Sequence, residues 1–322
     1  MGLRTTNRVR TGFVMMVLIS AVLVRFFLSW GSAGEKPEPE LPEPRQVVSL
    51  RPVLSTPVRA AVPEEEPAPL PTVQLPVFDA RDADAIRVAG MSTYRPNVAE
   101  ALSGRWRQEG DSMPTVLIVH THGTEGYTAE AGWEYDGAEE QRTTDAAYSV
   151  VRVGRELKAL LEERGVTVLH DETMHDKESF AGAYTSSRAA VERYLQEDPD
   201  IDLVIDLHRD AALNPDGSAF APTVRVDGQA YARLMLVVGT DEGGLYHPDW
   251  QKNFSCAAQL QALLNRSLPG LCRDMDLRTE RFNQDLSPGM LLIEMGAAGN
   301  TMREVLRSAE VLADAVAELL GK

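Results

Sequence analysis

Six histidines stand in the 322-residue chain: His120, His122, His170, His175, His208 and His247. Two of them sit in chemically suggestive places. His122 and Glu125 form an H-x-x-E pair just past an apolar run, Thr115–His120, and a loop at that point can bend an imidazole and a carboxylate onto one cation. His208 closes a second apolar run, Ile201–His208. Two imidazoles and one carboxylate make a catalytic zinc set with one position left for water; magnesium or calcium would call for mostly oxygen ligands. Glu294 ends a third run, Met290–Glu294, and is then available to take a proton from that water. His120 can be simply structural, although strand alternation puts it on the same face as His122. Arg209 is a candidate for stabilising a developing oxyanion, although a residue adjacent to His208 on a strand should face the other way. Asp210 or Asn283 can orient a ligand imidazole, and His170, His175 and His247 can line the cleft. The bland alternatives are hydrogen-bonded strand-end histidines and a solvated or salt-bridged Glu294.

These residues need elements to hold them. Ala146–Arg164 is a good helix, capped by Thr144 or Asp145 and stopped by Gly165. Val166–His170 follows as a strand, Ala183–Gln196 as a helix, then the Ile201–His208 strand. Thr223–Val226 and Ala232–Val238 flank Asp227-Gly228 as an antiparallel pair. A helix around Asn253–Asn265, the Met290–Glu294 strand and a closing helix over Thr301–Leu320 complete the body. This order predicts an α/β fold: a mostly parallel central sheet flanked by helices, with sites at the carboxyl ends of its strands.

The N-terminal part reads differently. Residues 12–30 are apolar apart from Arg25, and as a helix they would span about 28 Å, close to a bilayer core. Arg4, Arg8 and Arg10 precede the run, so the positive-inside rule keeps the first residues in the cytoplasm and sends the body outside. The rival is a cleaved signal peptide with Gly31 and Ala33 at its cleavage site; both readings export the body. Residues 35–76 hold eleven of the nineteen prolines and should form an extended stalk, on the order of 100 Å if fully stretched. The expected organisation is a cytoplasmic tail over 1–11, a transmembrane anchor over 12–30, a Pro/Glu-rich linker over 31–90 and a catalytic domain over 91–322. Residues 31–322 carry 28 basic against 48 acidic side chains, which argues against nucleic-acid binding. Cys256 and Cys272 are too few for a disulfide framework; in an exported body they can pair or stay as buried thiols.

The run His120-Thr121-His122-Gly123-Thr124-Glu125-Gly126-Tyr127 resembles the H-T-H-x-T-E-x-Y signature of the stage II sporulation protein P family. Val151-Arg152-Val153-Gly154, His170-Asp171, His175-Asp176, Ile205 to Asp210, Val238-Gly239-Thr240, His247 to Trp250, Asn283 to Pro288 and Leu292 to Gly296 follow in the family's order. The blocks cover roughly residues 114–305. The resemblance implies a membrane-anchored peptidoglycan hydrolase, similar to the zinc N-acetylmuramoyl-L-alanine amidases. It would cleave the amide between muramic acid and the stem peptide, possess endopeptidase activity on cross-links, and act during engulfment at the sporulation septum. It also implies two partners, the stage II sporulation proteins M and D. Carried over, the zinc ligands are His122, Glu125 and His208 and the base is Glu294; if His120 binds the metal, His122 or Glu125 moves to the outer sphere. Gly123 departs from the bulkier residue expected there. The alternatives in function are a zinc metallopeptidase for stem peptides and a non-catalytic wall-binding scaffold. A serine hydrolase lacks a nucleophile elbow here, and nucleotide binding lacks a glycine-rich phosphate loop.

Overall fold

The structure, a computed structural model, describes residues 75–107, 113–132, 134–138 and 140–322. The expected tail and anchor, and the stalk as far as residue 74, lie outside the described residues. Among the described residues no helix is long and apolar enough to cross a membrane.

Among the described residues nine strands and six α-helices follow in order: α1 (Ala80–Asp84), β1 (Val88–Gly90), α2 (Val98–Ser103), β2 (Thr115–Val119), α3 (Val150–Glu163), β3 (Thr167–His170), α4 (Ala183–Glu197), β4 (Ile201–Asp210), β5 (Thr223–Val226), β6 (Gln229–Ala232), β7 (Leu234–Gly239), α5 (Trp250–Ser267), β8 (Met275–Arg278), β9 (Met290–Ala297) and α6 (Met302–Leu319). Seven strands form one sheet in the order β1-β8-β7-β9-β4-β2-β3, and every neighbouring pair is parallel except β7 with β9. The expectation of a mostly parallel sheet flanked by helices is met. α1 and β1 fall inside the stretch assigned to the linker, and β1 pairs with β8, so the folded body begins ahead of residue 91.

Sequence pattern explains the layering. β2 is buried at all five positions and apolar at the four after Thr115, as a central parallel strand must be. On β4, Leu203, Ile205 and Leu207 face a large core shared with α3, α5 and α6. Val204 faces the smaller core built around Val191 of α4. Period-two alternation therefore puts Asp206 and His208 on the α4 face. α6 starts with a capping box in which Thr301 and Glu304 satisfy each other's backbone N–H groups, and its stripe Val305, Ala309, Leu312, Val316 is buried.

Two expectations are corrected. The helix after β2 starts at Val150, not Ala146, because the Ser149 hydroxyl accepts the Val151 N–H and caps it, while the Val150 N–H donates to the Glu125 carbonyl. The antiparallel partner of Thr223–Val226 is Gln229–Ala232. Asp227 and Gly228 both take positive φ, 50° and 79°, giving a two-residue turn that fixes this register. The chain from Leu234 then enters the main sheet beside β9. Cys256 and Cys272 are both free and buried, and burial pushes the Cys272 thiol up to about 12.

Candidate active site

β4 and β9 run side by side with His208 directly opposite Glu294. β2 ends one strand over, and the chain past Val119 turns to present His122 and Glu125 to the same place. The His122 and His208 rings lie 5.4 Å apart, nearly perpendicular. Glu125 Oε2 lies 3.5 Å from His208 Nδ1. His122, Glu125 and His208 are all buried. The structure thus brings together His122, Glu125, His208 and Glu294.

It does not bring His120 to them. His120 stays on the face of Val116 and Ile118, under α3, whereas β2 stops at Val119 and the loop beyond it carries His122 to the α4 face. His120 has Nδ1 3.2 Å from the Leu207 carbonyl and Nε2 2.8 Å from His170 Nε2. Burial, then the neighbouring His170, pushes its pKa down to about 3. Both ring nitrogens are occupied by other groups.

Arg209 also departs from its expected role. Its side chain points to the far side of the sheet and is 4% exposed. Nε donates to the Gly126 carbonyl and Nη2 to the Gln141 carbonyl, while its backbone N–H donates to Glu125 Oε2 at 3.0 Å. These bonds leave it holding the H-x-x-E loop rather than facing a reacting carbonyl. Arg209→Met strands two carbonyls, and we expect a loss of about 2–4 kcal/mol in chemical denaturation. Arg209→Lys should recover little, since one ammonium cannot replace the planar fork.

Asp210 pairs with Arg273 at 2.6 Å, and Asn283 donates to the Tyr184 carbonyl, so neither orients a ligand imidazole. His170 is paired with His120, His175 with Ser186 and His247 with Asn253. Two other carboxylates take the orienting positions. Asp206 Oδ1 lies 3.1 Å from His208 Nε2, and Asp176 Oδ2 lies 3.6 Å from His122 Nδ1. Asp206 was findable, since it precedes His208 by two residues on one strand face; Asp176 comes from a loop and carried no periodic signal. Arg142 donates to Thr124 Oγ1 and Asp176 Oδ2 and lies 3.7 Å from Glu125 Oε1. Phe180 stacks on His122 with centroids 4.4 Å apart. The glycine at position 123 is required: a Cβ there would sit 2.8 Å from Met174 Cα, on the segment that delivers Asp176.

Electrostatics separate the two glutamates. Burial works against a charged Glu125, but His208 and Arg209 outweigh it and lower its pKa. Burial raises Glu294 to about 8, with His208 opposing only in part. Burial likewise disfavours a charged His208, and Asp206 and Glu125 overcome it, holding the imidazole well above its usual value. Glu294 Oε2 is buried without a hydrogen-bond partner, whereas His122 Nδ1 and His208 Nε2 face the carboxylates of Asp176 and Asp206. An unpartnered buried carboxylate oxygen is costly, and beside two buried imidazoles and a second carboxylate it marks a functional site rather than a structural one. Among the described residues no group of three His, Cys, Asp or Glu side chains is disposed to hold a metal ion as it stands. The donor types nevertheless match zinc, and each imidazole has a carboxylate behind it, as metal-binding histidines do.

Fold and site together define a mixed α/β protein with a buried two-histidine, two-glutamate cluster at strand carboxyl ends. The chain belongs to the stage II sporulation protein P family, whose sequence model matches residues 73–317. It is 26% identical over 269 residues to the stage II sporulation protein P of Bacillus subtilis, covering 80% of this chain and 62% of that relative's length. Among solved structures it is similar to an N-acetylmuramoyl-L-alanine amidase of Nostoc punctiforme (13% identity, TM-score 0.35, 65% of this chain and 95% of that one). It is also similar to the catalytic domain of an amidase from Bacillus (Paenibacillus) polymyxa (11% identity, TM-score 0.39, 65% and 100%).

Proposed function

We propose that this chain is a zinc-dependent peptidoglycan hydrolase, exported and held at the cell membrane, that acts in sporulation engulfment with the stage II sporulation proteins M and D. The bond we assign is the amide between the muramic acid lactyl group and L-alanine, following the sequence resemblance. The observation that carries the hydrolytic reading is the convergence of His122, Glu125, His208 and Glu294, with Glu294 Oε2 buried and unpartnered.

His122, Glu125 and His208 are the residues that would hold zinc. Bound there, zinc would acidify a water and polarise the substrate carbonyl. Glu294 takes a proton from the attacking water at Oε2 and returns it to the departing amine. Asp206 and Asp176 keep the two imidazoles in orientation from behind. Arg209 fixes the loop that carries Glu125.

Two measurements test this reading. Purified, dye-labelled sacculi should release dye with zinc present and stop doing so with a chelator. Mass spectrometry of the products should then find new lactyl carboxyl ends and free L-alanine amines. New amines only on cross-link residues would instead make the chain an endopeptidase, and no release under any metal condition would leave a wall-binding scaffold. Asp206→Asn should weaken zinc binding about 10–100-fold in competition with a chromophoric chelator. Unchanged affinity would remove Asp206 from the site.

A further inference from the structure

The antiparallel junction between β9 and β7 gives the sheet two sets of strand carboxyl ends. β2, β4 and β9 end beside the His122–His208 cluster. β1, β7 and β8 run the other way and end at the opposite edge. Crevices outside strand carboxyl ends are where α/β sheets bind ligands, so the reversal creates a second place to look. There the loops leaving β1 and β7 are tied together: the Thr93 N–H donates to Glu242 at 2.9 Å and the Ser92 hydroxyl does the same. Between them lies a cavity of about 590 Å3.

Its floor is aromatic. The Tyr94 ring stacks on Trp250 with centroids 5.3 Å apart and planes within 13°. Trp250 and Phe254 are nearly buried, whereas Tyr94 is 36% exposed and offers its outer face. The walls carry Asn97, Glu100, Gln251 and Asp241. The Asp241 carboxylate interacts with the Tyr94 hydroxyl, and its Oδ1 is buried without a hydrogen-bond partner. Arg95 is committed to the carbonyls of Ser92 and Tyr94. Arg95 keeps its charge, but Glu100 and Asp241 outnumber it, and this net negative lining disfavours phosphates and carboxylates.

We propose that this crevice is a second, non-catalytic binding site for a neutral sugar ring of a glycan chain. The Tyr94 face suits the C–H face of a pyranose, and Asp241 with the Asn97 and Gln251 amides suits its hydroxyl and acetamido groups. The volume falls within the range of small-ligand sites. That the natural glycan is the wall's own strand rests on the function proposed above; sugar binding itself does not.

The probe is N-acetylglucosamine hexasaccharide, a neutral glycan without peptide, titrated into the full chain by calorimetry. The wild type should bind it, and Tyr94→Ala and Asp241→Asn should each weaken binding at least tenfold with the thermal transition unmoved. Glu294→Gln should bind as the wild type does. Absence of binding by the wild type, or wild-type affinity in both crevice variants, overturns the proposal. A chain that binds the hexasaccharide through Tyr94 yet never releases dye from sacculi would sink the hydrolytic reading and leave this site standing.

Discussion

Glu294→Gln is expected to lower sacculus hydrolysis by about 10^2–10^4-fold, the range that a positioned general base supplies, while zinc content stays at the wild-type level. The separation follows from where the residue sits. Glu294 faces His208 across the β4–β9 pair, and its Oε2 is buried without a partner. The three residues assigned to zinc are His122, Glu125 and His208, so removing the Glu294 charge takes away the proton acceptor and none of the ligands. The substitution should also be mild for the fold. Burial raises the Glu294 carboxyl to about 8, so at neutral pH the metal-free protein holds it largely as the neutral acid, which glutamine imitates in shape and charge. Dye release measures the rate, elemental analysis the metal, and calorimetry the fold. A variant that keeps more than a tenth of the activity would remove Glu294 from the chemistry. A variant that also loses its zinc would place Glu294 among the ligands.

The four residues of this cluster were legible because each lies near the carboxyl end of a strand with a strong apolar pattern, or in the loop just past one. TVLIV, IDLVIDLH and MLLIE announce themselves as enclosed strands, and polar residues at the ends of enclosed strands need a reason. The same logic failed at His122, where period-two alternation was carried three residues past the end of β2 and so gave it the face of His120. It missed β8, whose Met-Asp-Leu-Arg alternates buried and half-buried positions over only four residues, and β1, an edge strand of three. The supporting shell was largely illegible for a different reason. Asp176, Arg142 and Phe180 come from loops, where no repeat ties a position to a face, and only the tertiary fold brings them to Glu125 and His122. Arg209 was placed on the face opposite His208 by alternation, and there its guanidinium donates to the Gly126 and Gln141 carbonyls.

Gly154→Ala should destabilise the protein by about 2 kcal/mol, against the usual direction for a glycine inside a helix. Alanine normally stabilises such a position by roughly 1 kcal/mol through chain entropy. Here an added Cβ would lie 2.6 Å from both His120 Nε2 and His170 Nε2. Neither ring is free to move: His120 is fully buried and tied to the Leu207 carbonyl, and the two imidazoles share a 2.8 Å hydrogen bond beneath α3. The helix must therefore lift or the bond must break, and overpacking of this kind outweighs the entropy gain. At about 2–4 °C per kcal/mol for a domain of this size, the thermal midpoint should fall by roughly 4–8 °C. His170→Ala in the same chain should relieve part of the clash, so the double variant should lose less than the two single losses combined. The same pair predicts the pH response. Burial holds His170 at about 4 and His120 at about 3, both below the unfolded value, so the unfolded chain binds more protons as pH falls. Their contribution is therefore complete above pH ~6.5 and is lost progressively down to about pH 4 and below. His170→Ala should flatten that decline in urea midpoints. An undiminished decline would show that the pair does not govern it, and a Gly154→Ala midpoint at or above the wild type's would mean that α3 yields where the packing says it cannot.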